Sequence, residues 1–83
     1  MTTNLSLQAK VNELLWLVSE EFNRATQKHG LYNNSYHESY AVILEEVDEL
    51  WDEIKKKKHD DDKIKEEAVQ IAAMCIKLIV SAK

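Results

Sequence analysis

No proline and only one glycine, Gly30, interrupt the 83 residues of this chain, and that scarcity of breakers constrains its fold more than any other feature. Proline removes a backbone donor and glycine costs conformational entropy, so a chain nearly free of both can run as long helices. Leu7, Val11, Leu14, Leu15, Val18, Phe22 and Ala25 recur at three- and four-residue intervals. That spacing marks one face of a first helix over about residues 4 to 28. Gly30 stands where a left-handed C-terminal cap is wanted, and Leu31–Asn34 reads as a turn. Ser35 and Glu38 fit the capping box that opens a second helix. Its apolar face is Tyr40, Ile43, Leu44, Val47, Leu50, Trp51 and Ile54, and it ends in Lys55–Lys58. Asp60–Asp62 introduce a third helix over about residues 62 to 82. Lysines at a helix C-terminus and aspartates at an N-terminus both complement the macrodipole.

The third helix differs from the others, because between Ala68 and Val80 only Gln70 and Lys77 are polar. A helix apolar around nearly its whole circumference must be covered on every side, and two partner helices hardly suffice. Val69, Ala73, Ile76 and Val80 lie off its main stripe and are expected between chains. The fold class is therefore all-α: an antiparallel bundle of about three helices per chain, completed by oligomerisation to a homodimer or homotetramer. No internal repeat, linker or low-complexity segment divides the 83 residues, and one domain is expected.

Composition narrows the function classes. Apolar residues make up 45% of the chain and charged residues 31%, a balance that builds a core and argues against disorder. The net charge of −4 leaves no basic face for nucleic acid once Lys55–Lys58 are set aside. Cys75 is the single cysteine, so no disulfide framework is available; among Ala73, Met74, Ile76 and Leu78 it reads as an inert core thiol. The N-terminus lacks a basic start followed by an unbroken apolar stretch, so no secretory leader is expected. The most apolar run, Ala68–Val80, is too short and too polar to span a bilayer. A cytoplasmic location follows.

Chemistry concentrates in the acidic residues. Glu45, Glu46, Asp48, Glu49, Asp52 and Glu53 lie on the second helix, and Glu66 and Glu67 open the third. Residues three and four apart share a helix face, so Glu49 projects beside both Glu45 and Glu46. No lysine lies between Ala41 and Ile54 to relieve their repulsion. A short antiparallel connection brings the start of helix three alongside the second half of helix two, and Glu67 towards Glu49. Carboxylates converging without a cationic partner suit Mg²⁺ or Mn²⁺, hard cations that prefer oxygen ligands. The plain alternative is a solvated acidic face, to which Asp48, Asp52 and Glu53 are assigned. The sequence holds no glycine-rich phosphate loop, C-x-x-C pair or H-E-x-x-H. His29, His37 and His59 fall at helix ends or in loops, and His37 is the one set to assist near a nucleotide. Trp16, Tyr32, Tyr36, Tyr40 and Trp51 supply candidates for base stacking, with packing the default for Tyr40 and Trp51.

Glu45-Glu46-Val47-Asp48-Glu49-Leu50, followed by Glu66-Glu67-Ala68-Val69-Gln70, resembles the MazG-like all-α nucleoside triphosphate pyrophosphohydrolases. Their signature is E-E-x-x-E, a variable gap, then E-x-x-D. The stretch His37–Leu44 before it and Gln70–Met74 after it look like the short phage- and Gram-positive-type members. The resemblance covers residues 22 to 80 or so. It implies Mg²⁺ (or Mn²⁺) gripping a nucleoside triphosphate, which water cleaves to monophosphate and pyrophosphate. By resemblance, Glu46, Glu49, Glu67 and Gln70 take the metal positions. Glu45 and Glu46 form the catalytic pair, with Glu45 a ligand or a carboxylate just behind the ligands. Glu38, His37, Lys77 and Trp16 are the substrate-binding candidates. Lys77, seven residues beyond Gln70 on nearly the same face, is set either to meet a phosphate or to snorkel to the surface. The departure is Gln70, where the family carries its last metal-binding aspartate. Losing that charge lowers the expected metal affinity unless Glu38 or Glu66 substitutes. A helical binding or assembly module without catalysis is the rival expectation.

Overall fold

The computed structural model describes residues 2–30 and 34–82, with side chains from Ser6 onward. Three helices account for nearly all of them: α1 (Thr2–His29), α2 (Tyr36–Ile54) and α3 (Asp61–Ser81). There is no strand among the described residues. Each boundary has a local cause. Gly30 adopts φ 87°, and its N–H donates to the Thr26 carbonyl at 2.8 Å, closing α1. The expected Leu31–Asn34 turn falls largely on residues 31–33, which with Tyr32 lie outside the described residues. Ser35 Oγ accepts from the Glu38 N–H at 3.1 Å, so the hydroxyl half of the expected capping box forms. Asp60 Oδ1 accepts from the Lys63 N–H at 3.3 Å and caps α3 in the same way. At the end of α2, His59 Nε2 meets the otherwise unpaired Ile54 carbonyl at 2.8 Å. Lys55 and Lys56 fold back on Asp52 (3.0 Å) and Glu53 (2.9 Å).

Helices α1 and α2 each pack along α3 and not against each other. The result is a flattened body of 44 × 33 × 20 Å, whose shortest extent is under two helix diameters of about 10–12 Å each. Such a layer encloses little. Val18, Ala25 and Ala73 are the only buried apolar residues among those described. Ala73 is fully enclosed within the chain, not between chains as expected of it. Val69 is half-buried, whereas Ile76 and Val80 are exposed. Cys75 is half-buried rather than a core thiol.

The apolar residues of α2 divide between two directions. Ile43 and Leu50 are half-buried together with Glu46, while Tyr40, Leu44, Val47, Trp51 and Ile54 are exposed. Packing, the expected role of Tyr40 and Trp51, is therefore not provided within the chain. Glu53, assigned from sequence to the solvated acidic face, is half-buried and paired with Lys56. No described helix is long and apolar enough to cross a membrane.

Candidate metal centre

Packing of α2 on α3 brings three carboxylates together. One oxygen from each of Glu46, Glu49 and Glu67 lies within 4.8 Å of the others. Glu46 and Glu49 project side by side because they are three residues apart on α2. Glu67 comes from the second turn of α3, after the Asp60 cap has fixed where that helix begins. Gln70, one turn further on, reaches into the same group. With its amide turned to face the acids, Nε2 donates to Glu46 Oε2 at 2.7 Å and to Glu67 Oε2 at 3.3 Å. The opposite orientation sets the amide oxygen against carboxylate oxygens, so the hydrogen-bond network selects this one.

Octahedral Mg²⁺, bound at about 2.0–2.1 Å, spaces its ligand oxygens by roughly 3 to 4 Å. The three carboxylate oxygens lie within 4.8 Å of one another, a limit somewhat wider than that spacing. Gln70 Oε1 joins them if the amide turns over.

The electrostatics show the cost of this convergence. Burial and then the adjacent Glu49 and Glu67 charges push the Glu46 carboxyl up to about 7. Glu67 is raised too, by burial first and then by Glu49. A carboxyl whose folded pKa exceeds its unfolded value binds more protons in the folded state between the two values, so stability falls as pH rises through that window. For Glu46 the window runs from 4.5 to about 7. Thermal melts of the chelator-treated chain should therefore give a lower Tm at pH 7.5 than at pH 5.5, and Glu46→Gln should flatten the slope. A Tm that climbs across this interval contradicts the assignment.

Beside the cluster lies a cleft of about 510 Å³, floored by Gln70, Met74 and Lys77 of α3. Glu38, Glu45 and Glu46 of α2 form one wall, and Glu21, Arg24 and His29 of α1 the other. Lys77 is only 4% exposed, but its Nζ is not among the buried polar atoms that lack a partner. The stem is covered while the head reaches the open cleft, the arrangement of a snorkelling lysine that also faces the cleft. The cleft lies within the 300–1,000 Å³ range typical of small-molecule sites.

The structure thus gathers Glu46, Glu49, Glu67 and Gln70 in one cluster, with Glu38, Glu45 and Lys77 in the adjoining cleft. His37 and Trp16 are exposed and line no part of that cleft. Glu66, a possible substitute for the missing aspartate, faces Lys63 at 3.9 Å instead. Sequence reasoning missed Glu21 and Arg24, which form a two-bond ion pair at 2.6 and 3.1 Å on the cleft wall. Their i, i+3 spacing reveals the pair, but nothing in α1 alone reveals that it faces α2. Compared with known proteins, the chain matches no family model, no curated sequence and no solved structure.

Proposed function

We propose that this chain is a Mg²⁺-dependent nucleoside triphosphate pyrophosphohydrolase, acting in the cytoplasm on nucleotides that include modified or deoxy ones. The antiparallel protomer works as a homodimer or a dimer of dimers. The observation that carries the reading is the convergence of Glu46, Glu49 and Glu67 from two helices, beside a cleft that Lys77 also lines. When bound there, Mg²⁺ or Mn²⁺ supplies phosphate charge neutralisation, substrate orientation and a lowered water pKa. Glu46, Glu49 and Glu67 hold the ion. Lys77 contributes a fixed positive charge to the triphosphate from the cleft floor, and Arg24 stands across from it, oriented by Glu21. Glu45, with Glu46 beside it, would take the proton of the attacking water. The water oxygen bonds to the α-phosphorus as the bond from that phosphorus to the α–β bridging oxygen breaks, and pyrophosphate departs with that oxygen.

The test is a pyrophosphate-release screen over common and modified nucleoside triphosphates with Mg²⁺ or Mn²⁺. Equal amounts of monophosphate and pyrophosphate are expected, with Lys77→Met raising KM. Release of orthophosphate alone means a different bond is cut and rejects the assignment. A second reading is favoured by one observation: the Gln70 amide already bridges Glu46 and Glu67, which satisfies the cluster without an ion. In that case the chain is a helical binding module, and both the screen and metal titrations come back empty.

A further inference from the structure

Arg24 is the one arginine of the chain, and it stands on the wall of the cleft beside the carboxylate cluster. A guanidinium is well suited to neutralise a carboxylate, since its rigid fork bonds both oxygens at once. Yet none of Glu46, Glu49 and Glu67 takes part in an ion pair among the described residues. Glu46 lines the same cleft from the α2 side. Its charge draws on Arg24, second to the pull of Glu21.

Glu21 is what keeps the two apart. Lying one turn before Arg24 on α1, it accepts from Nε at 3.1 Å and from Nη2 at 2.6 Å, one bond to each carboxylate oxygen. The two ends of the pair are unequally held, for the Glu21 side chain is 18% exposed and that of Arg24 59%. Packing fixes the carboxylate, and the guanidinium follows it. Arg24 also borders a second groove, lined by Leu14, Leu17 and Val69, so it has open space on both sides. An Arg24–Glu46 bond would join α1 to α2, two helices with no packing contact. It would also neutralise a carboxylate that a bound ion needs charged.

We propose that Glu21 is a positioning residue that acts through Arg24. By occupying the guanidinium fork, it keeps the chain's one arginine from closing across the cleft on Glu46 and leaves the carboxylate cluster open to a divalent cation. The inference rests on the metal-binding part of the proposed function and adds to it the reason an adjacent arginine does not fill the site. A chain with Arg24 on Glu46 is not competent to bind the ion, so the observed affinity scales with the fraction of chains in which Glu21 keeps its hold.

The test is a double-mutant cycle on Mn²⁺ affinity, measured by calorimetric titration of the chelator-treated full chain. Glu21→Gln should weaken binding roughly tenfold, because the freed Arg24 competes for Glu46. Arg24→Met alone should change it by about twofold, the scatter of independent sites. Added to Glu21→Gln, the same change should recover most of the loss. Additive effects mean that the two residues act only through their charge and overturn the proposal, as does a Glu21→Gln chain that binds Mn²⁺ like the parent. Because the chain has a single arginine, its Nε–H gives one NMR signal, which reads the partner of Arg24 without any metal. Glu46→Gln should leave that signal in place in the parent chain and shift it in the Glu21→Gln background. A signal blind to Glu46 in both backgrounds overturns the proposal, including the case where the freed guanidinium settles on Glu38 or Glu45 of the same wall. A parent chain that binds no Mn²⁺ rejects the metal-binding part of the proposed function instead, and the NMR measurement then decides the restraint on its own.

Discussion

Adding Mg²⁺ or Mn²⁺ to the chelator-treated chain is expected to raise its Tm by roughly 10 to 20 °C at a hundred times Kd. An ion that binds only the folded state stabilises it by RT ln(1 + [L]/Kd), about 2.7 kcal/mol at that ratio. In a domain of this size each kcal/mol moves the midpoint by about 4–8 °C. Glu49→Gln and Glu67→Gln should each remove most of the rise, because each withdraws one of the three converging carboxylates. Glu49 is exposed, so its replacement should not disturb packing, and circular dichroism should show the helices unchanged. Variants that keep the full metal response would falsify the assignment of the cluster.

Gln70→Asp should act in opposite directions with and without metal. In the metal-free chain the Gln70 amide donates to both Glu46 and Glu67, and hydrogen bonds to charged groups contribute about 1.5–3 kcal/mol each. Aspartate removes both donors and adds a fourth like charge, so the metal-free Tm should fall by at least about 10 °C. With the ion present the same charge becomes a ligand, and affinity should rise at least tenfold, read by calorimetric titration. Pyrophosphate release should rise with it or appear for the first time. An unchanged metal-free Tm means the amide does not bridge the acids in solution. Tighter metal binding without any pyrophosphate release leaves the chain as a metal-binding helical module.

Much of the architecture was legible because its causes are local. The Ser35 and Asp60 caps, the Gly30 stop and the three helices depend on neighbours within a few residues; the ends of α1 and α3 agree with the sequence to within two, whereas α2 stops at Ile54, before the lysine run expected to close it. The cluster of Glu46, Glu49 and Glu67 was legible for a related reason: i, i+3 spacing and a short connection place them together. What α1 does was not legible. Its apolar spacing predicts a buried face, yet Leu7, Leu14 and Leu15 are exposed, because periodicity says which residues share a side and not what covers it. The Glu21–Arg24 wall and the enclosure of Lys77 depend on contacts between distant helices, for which spacing carries no signal. The division of the α2 residues between two faces was hidden similarly: one broad apolar arc on a helical wheel serves two directions at once.

That α1 and α2 meet only α3 separates two mechanical properties of the site. The carboxylates are all carried by the α2–α3 pair, whose mutual packing fixes their spacing. The cleft is instead spanned from α1 to α2 across α3, with no packing contact between its walls and the attraction of Arg24 for Glu46 acting across it. A small pivot of α1 about its α3 contact therefore changes the gape of the cleft while leaving the oxygen cage as it was. Ligand bulk and ion geometry become separately adjustable, and substitutions along the α1–α3 seam can alter which molecules enter without retuning the ion.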